Sequence, residues 1–219
     1  MVGARQSAVD FSPDGRYLTF TQMDMGGMGM ESGDMPMMGG GTESGGTGIW
    51  VLPMQGDRTP QRFASSKFIQ GAGRFSPDGK LVAYCSNEEG GRNEVFVQPW
   101  PGPGGKTKIS REGGTDPIWS RNGQELFYRN GDKMMAVAVS LAGGFRAGKP
   151  QLLWEARYSH GMSSSCGPPG TTEGNYDVSG DGRRFLMIKD LDEDAQSTRI
   201  IVVLNFAEEL KALSKTQPK

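Results

Sequence analysis

The chain has 219 residues, with 24 Lys+Arg against 25 Asp+Glu and a formal net charge of −1. That balance argues against a dedicated nucleic-acid binder, which carries a basic face and a high isoelectric point. No apolar stretch approaches the roughly 20 residues of a membrane-spanning helix, and the opening MVGARQSAVD lacks the apolar core of a secretory signal. Two cysteines, Cys85 and Cys166, are too few to staple a chain of this size and leave the redox compartment open. The 34 Gly and 13 Pro follow no collagen period and fit a chain with many tight turns.

In chain order, the first informative stretch is FSPDGRYLTF at 11–20, because FSPDGKLVAY returns at 75–84. WSRNGQELFY at 119–128 and VSGDGRRFLM at 178–187 are two further echoes. In Ser-Pro-Asp-Gly, proline presets φ near −65°, Asp tolerates the third position and Gly accepts the left-handed geometry that follows. Apolar alternation on both sides predicts a β-hairpin around each turn. A further strand follows each hairpin: GIWVLPM (48–54), EVFVQPW (94–100), KMMAVAV (133–139) and RIIVVLN (199–205). After three of these come a Gly-rich turn and a short polar strand, so one unit is about four short antiparallel strands.

The landmarks Phe11, Phe75, Trp119 and Val178 lie 64, 44 and 59 residues apart. The middle interval matches a propeller blade of roughly 40–45 residues. The two longer ones contain visible insertions, Met/Gly-rich at 23–48 and SHGMSSSCGPPGTTEG at 159–174. The expected fold is therefore all-β, a propeller or propeller arc of about four four-stranded antiparallel blades. Blade boundaries fall at 5–65, 67–111, 113–155 and 157–205 within a single domain. FAEELKALSK reads as a short amphipathic helix in a tail over 206–219.

FSPDGK-L-AY-S…G…VFV resembles the TolB-type propeller repeat, also called the WD40-like PD40 repeat. It is similar, too, to propellers that follow bacterial serine/threonine kinase modules, although HRD, DFG and a glycine-rich kinase loop are missing. The resemblance implies a fold more than a function, since such propellers scaffold, bind proteins or gate an attached hydrolase. It implies a periplasmic or other extracytoplasmic location. Four repeats are fewer than the family's usual six or seven, and the chain starts inside a first strand, which reads as a fragment of something longer. Two arrangements stay open: a closed four-blade ring, or an arc completed by a second copy through exposed sheet edges.

Chemistry concentrates in the insertions. MDMGGMGMESGDMPMMGGG (23–41) holds Met23, Met25, Met28, Met30, Met35, Met37 and Met38 among glycines, at neither helix nor strand period. One reading is a low-complexity loop. The other is soft-metal binding, since thioethers favour Cu(I). The stretch is similar to methionine-rich segments of bacterial copper-resistance proteins, without their histidines. YSHGMSSSCG (158–167) adds His160, Met162 and Cys166, ligand types of an electron-transfer copper site whose second histidine is missing. No catalytic residue is expected: His160 is the only imidazole, and no Gly-x-Ser-x-Gly elbow occurs. PGPGGKT (101–107) fails as a phosphate loop because its first glycine would fall at Trp100. Asp190, Asp192 and Asp194 lack the glycine and glutamate of a calcium loop and read as a solvated hairpin tip.

The sequence therefore predicts a propeller module for protein–protein binding or scaffolding. Its partner is another protein or a second copy, with neither nucleic acid nor a membrane span involved. The alternative is a copper-binding protein, with copper as its one candidate cofactor and a weak copper-dependent oxidase activity.

Overall fold

A computed structural model of the chain describes residues 6–23, 47–64, 68–102, 104–158, 166 and 176–189. They form four antiparallel sheets in sequence order, and no helix occurs among them. The first sheet is β1 (Gln6–Phe11), β2 (Tyr17–Met23), β3 (Thr47–Pro53) and β4 (Gln61–Ala64). The second is β5 (Gln70–Phe75), β6 (Leu81–Ser86), β7 (Glu94–Pro99) and β8 (Thr107–Lys108). In both, neighbours in sequence are neighbours in the sheet. The third has β9 (Thr115–Trp119), β10 (Glu125–Asn130) and β11 (Lys133–Ser140), with a fourth position shared by β12 (Arg146–Ala147) and β13 (Gln151–Glu155). β13 covers Lys133–Ala136 of β11 and β12 covers Val139–Ser140, so one eight-residue strand takes two short partners. Of the fourth sheet, β14 (Tyr176–Val178) and β15 (Phe185–Met187) are described. RIIVVLN and the tail at 206–219 lie outside the described residues.

The repeated turn has one geometry in all four sheets. In the second, the Ser76 hydroxyl donates to Asp78 at 2.6 Å and accepts from the Leu81 amide at 3.0 Å. The Gly79 amide donates to the Ser76 carbonyl at 2.8 Å. Ser12, Ser120 and Ser179 make the same bonds with Asp14, Asn122 and Asp181. The following glycine has φ of 68°, 71°, 68° and 70° at Gly15, Gly79, Gly123 and Gly182, the left-handed region that glycine enters without a Cβ penalty. The third and fourth turns carry Arg121 and Gly180 where the first two carry proline. The serine, the Asp or Asn and the glycine define the turn.

Alternation then fixes which neighbour each residue meets. Ile49, Val51 and Tyr17 of the first sheet pack on Phe75, Val82, Tyr84 and Phe96 of the second. Leu81, Ala83, Val95 and Val97 of the second pack on Trp119, Leu126, Tyr128 and Val137. Phe127, Met134 and Trp154 of the third pack on Tyr176, Phe185 and Met187. The core is thus a series of seams between stacked sheets, each a face that one sheet could not bury alone. Aromatic edges close these seams, as where Phe185 meets Phe127 and Trp154 at centroid distances of 5.0 and 4.8 Å.

Candidate binding face

The first strands of successive sheets lie side by side, β1 against β5 and β5 against β9. Each breaks register with its own partner strand at the same repeat position: between Ala8 and Asp10, between Gly71 and Arg74, and beside Phe127–Arg129 for β9. Ala72 and Asp116, equivalent positions in β5 and β9, take φ of 57° and 55°, uncommon for residues with a Cβ. A bulge frees backbone groups from the ladder, and the neighbouring sheets take them up. The Thr19 hydroxyl donates to the Gly73 carbonyl at 2.6 Å, the Trp119 indole to the Arg74 carbonyl at 3.1 Å, and the Tyr176 hydroxyl to the Asp116 carbonyl at 2.7 Å. Asp10 accepts from the Phe75 amide at 2.9 Å, and Arg74 donates back to the Val9 carbonyl at 3.1 Å.

Burial governs the ionisation of this inner belt. It raises the Asp10 carboxyl above its usual value, with the Arg74 charge opposing. It raises the Tyr176 hydroxyl strongly and lowers the Arg129 guanidinium against the nearby charge of Asp116. Glu94, at the outer part of the same end, is buried yet shifted down. Desolvation works against its charge, and bonds from Ser110, Arg92 at 2.9 Å and the Gly113 amide at 3.1 Å, with Lys108 at 3.4 Å, outweigh it.

The turns occupy one end of the sheets, and both insertions join the other. Met23 ends β2 and pairs with Thr47 at the start of β3, so the first insertion leaves and re-enters the fold at adjacent points. The strands extend into the segment expected to be loop at 23–48 and leave 24–46 outside the described residues. The Thr47 hydroxyl donates to the Gln70 carbonyl and accepts from its amide, both at 2.7 Å. Gly71, the next residue, pairs with Cys85. Cys85 is disulfide-bonded to Cys166 with Cα atoms 5.7 Å apart, the two sulfurs packed with Ala72 at the β5 bulge. The second insertion starts beside the same end, where Arg129 donates to the Tyr158 carbonyl at 3.4 Å.

This bridge corrects the expectation that two cysteines leave the fold unstapled: they join positions 81 residues apart. While it stands, Cys166 offers no thiolate to a metal. Of the other candidate ligands, Met23 closes β2, whereas Met25, Met28, Met30, Met35, Met37, Met38, His160 and Met162 lie outside the described residues, as do Asp190, Asp192 and Asp194. Among the described residues no three His, Cys, Asp or Glu side chains gather as a metal site. No such helix is long and apolar enough to cross a membrane. Thr19, Thr47, Asp10 and Tyr176, which organise this face, carry no motif. Most of their equivalents in the other repeats are different residue types, so the sequence does not mark them.

No known family and no curated protein matches the chain at the level of sequence. Solved structures do match its fold. A TolB from Acinetobacter baumannii superposes with a TM-score of 0.53 at 16% identity, over 85% of this chain and 38% of that one. A TolB from Agrobacterium tumefaciens gives 0.50 at 14% identity, over 71% and 51%. The chain spans about half or less of either protein's length. What it shares with them is a TolB-like β-propeller fold.

Proposed function

We propose that this chain is a propeller binding module that recognises a protein through the face opposite its repeated turns. The observation that carries this reading is the asymmetry of the two ends. One end presents the same Ser-x-Asp/Asn-Gly turn four times. The other gathers unlike features: two insertions, a disulfide and bulged strands with Ala72 and Asp116 at positive φ. Recognition needs a surface that differs from its neighbours, and connecting segments on a rigid array supply it. The disulfide fits an oxidising, extracytoplasmic compartment. The test compares the full chain with a variant lacking residues 24–46. Proteins retained from an extract are purified and titrated against both forms. A purified partner losing at least tenfold affinity on deletion supports the reading, and equal affinity, or no purified binder, rejects it.

One observation favours a second reading, copper binding. The Met23–Thr47 pair, the Thr47–Gln70 bonds, the Gly71–Cys85 pair and the bridge to Cys166 make one continuous path. The segments carrying the methionines and His160 therefore join the fold at one corner. Thioethers are soft, neutral donors that need no deprotonation, so Cu(I) affinity should change little between about pH 5 and pH 8. Competition titration with a Cu(I) chelator reads this directly. Loss of capacity in the 24–46 deletion, with the fold retained, supports it, and equal uptake by both forms moves any metal to His160 and Met162.

A further inference from the structure

Cys85 and Cys166 are the chain's two cysteines, and the fold brings their Cα atoms to 5.7 Å. Cys85 lies within β6, paired with Gly71 on one side and Val95 on the other. The strand ladder holds it whether or not its sulfur is bonded. That sulfur is 3.5 Å from the Gly71 carbonyl, an acceptor already in place for an S–H group. Both cysteines are buried, and both pack with Ala72. The reduced pair is therefore two thiols side by side in an apolar setting.

What such a pair can hold follows from the number and softness of its donors. Among the described residues no three His, Cys, Asp or Glu side chains gather, so no further strong ligand joins the two sulfurs. Structural zinc takes four ligands, and calcium and magnesium take oxygen. Thiolate sulfur instead selects a soft ion, Cu(I). Two metal–sulfur bonds of roughly 2.3 Å, the zinc–thiolate length, span a gap that cysteines at this Cα separation reach by rotation about χ1.

We infer that Cys85 and Cys166, once reduced, form a two-thiolate Cu(I) site, so that the disulfide and the ion are alternative states of one place. The inference rests on the copper reading for the identity of the ion and adds donors that the methionines do not supply. A dithiol reductant delivers two electrons and two protons. The Cys85–Cys166 S–S bond breaks, two S–H bonds form, and the reductant closes to its own disulfide. Cu(I) then displaces both thiol protons to solvent as two Cu–S bonds form, with no change in the oxidation state of copper. Binding through thiols strengthens with pH, by up to about 100-fold per unit while both sulfurs are protonated in the free chain. Thioether binding stays flat.

The test uses the full chain. It is incubated anaerobically with dithiothreitol until two thiols per chain titrate, the reductant is removed, and circular dichroism checks the fold. Cu(I) is then titrated against a chelator at several pH values, for the oxidised chain, the reduced chain, Cys85→Ser and Cys166→Ser. We expect reduction to add one Cu(I) per chain with pH-dependent affinity, and either substitution to remove it. Bound Cu(I) should also protect both cysteines of the reduced wild type from alkylation, a result that does not depend on either variant folding. Equal uptake by oxidised and reduced chains overturns the proposal. So does an added ion that Cys166→Ser removes and Cys85→Ser does not, or one whose affinity ignores pH. A bridge that opens only when the chain unfolds overturns it too, because the site needs the fold to hold its sulfurs together. Uptake by the oxidised chain measures the methionine reading separately, so either can fail without the other.

Discussion

Ala83 in the second sheet and Leu186 in the fourth hold the same repeat position, as do Cys85 and Ile188. Ala83 and Cys85 are buried, and Leu186 and Ile188 are exposed. The less apolar pair is the buried one, so side-chain hydrophobicity does not explain the difference. Place among the described sheets does: a sheet face is completed by its neighbour, and no described sheet follows the fourth. Energetic consequences of substitution should therefore follow stack position and not residue type.

The largest expected effect lies at Cys85. Cys85→Ser or Cys166→Ser opens a loop of 81 residues, and the chain-entropy relation for a loop of that length gives a loss of about 4 kcal/mol. Chemical denaturation of the oxidised wild type and either variant measures it. Ile188→Ser, at the equivalent position in the last sheet, should stay within about 0.5 kcal/mol. Equal losses at the two sites would break the comparison.

Next come the apolar seams. Leu126, fully buried between the second and third sheets, should cost about 3 kcal/mol when changed to Ala, from lost burial and the cavity left behind. Leu186→Ala, on an exposed side chain, should cost almost nothing.

Glu94 sharpens the contrast in polar terms. Its pKa is lowered from the usual carboxylate value, since the bonds to Ser110, Arg92 and Gly113 outweigh burial. A depressed folded-state pKa contributes stability that is present above the unfolded value, 4.5, and lost as pH falls through the lower folded value. Stability should therefore decline on acidification below about pH 4.5. Glu94→Gln should flatten that slope and cost about 2 kcal/mol at neutral pH, because Ser110 and Gly113 face a weaker acceptor. An unchanged acid limb would show that the carboxylate does not control this end of the second sheet.

Sheet order was legible from the turn and its apolar flanks, because Ser-Pro-Asp-Gly states a backbone geometry and alternation states a face. The bridge was not legible, since Cys85 and Cys166 are far apart in sequence and only stacking brings the β5 bulge to both. Nor was the inner belt. Thr19 and Tyr176 act through carbonyls beside bulges and Asp10 through the Phe75 amide, and a register break leaves no composition signal. The exposure of Phe11 was equally hidden, because the same FSPDG words surround the buried Phe75.

The turns themselves give a smaller effect. Gly79 has φ of 71°, and the nearest atom to an added Cβ would be Pro13 Cδ at 3.7 Å. Gly79→Val therefore meets no clash, and its cost is left-handed strain on a β-branched residue, at least about 1 kcal/mol. Gly15, with φ of 68° and open space around it, should lose a similar amount. An unchanged melting temperature in both variants would contradict the shared turn geometry.

Proline should matter least, although it is the most conspicuous letter of the repeat. Arg121 and Gly180 stand in its place in the third and fourth turns, and both turns still form every characteristic bond. Ser120 donates to Asn122 at 2.8 Å and accepts from the Glu125 amide at 2.9 Å, and the Arg184 amide donates to Ser179 at 3.0 Å. Proline has no amide hydrogen to contribute, so its effect comes from restricting the unfolded chain. Pro77→Ala should then lower stability by less than about 1 kcal/mol, with the fold unchanged. Ser76→Ala leaves the buried Leu81 amide without the hydroxyl it bonds at 3.0 Å and should cost more, about 2 kcal/mol. Denaturant midpoints of the two variants, read side by side, decide it. If Pro77→Ala were the more damaging, the turn would depend on its preset φ and not on the serine bridge, and the third and fourth sheets would need another account of their identical geometry.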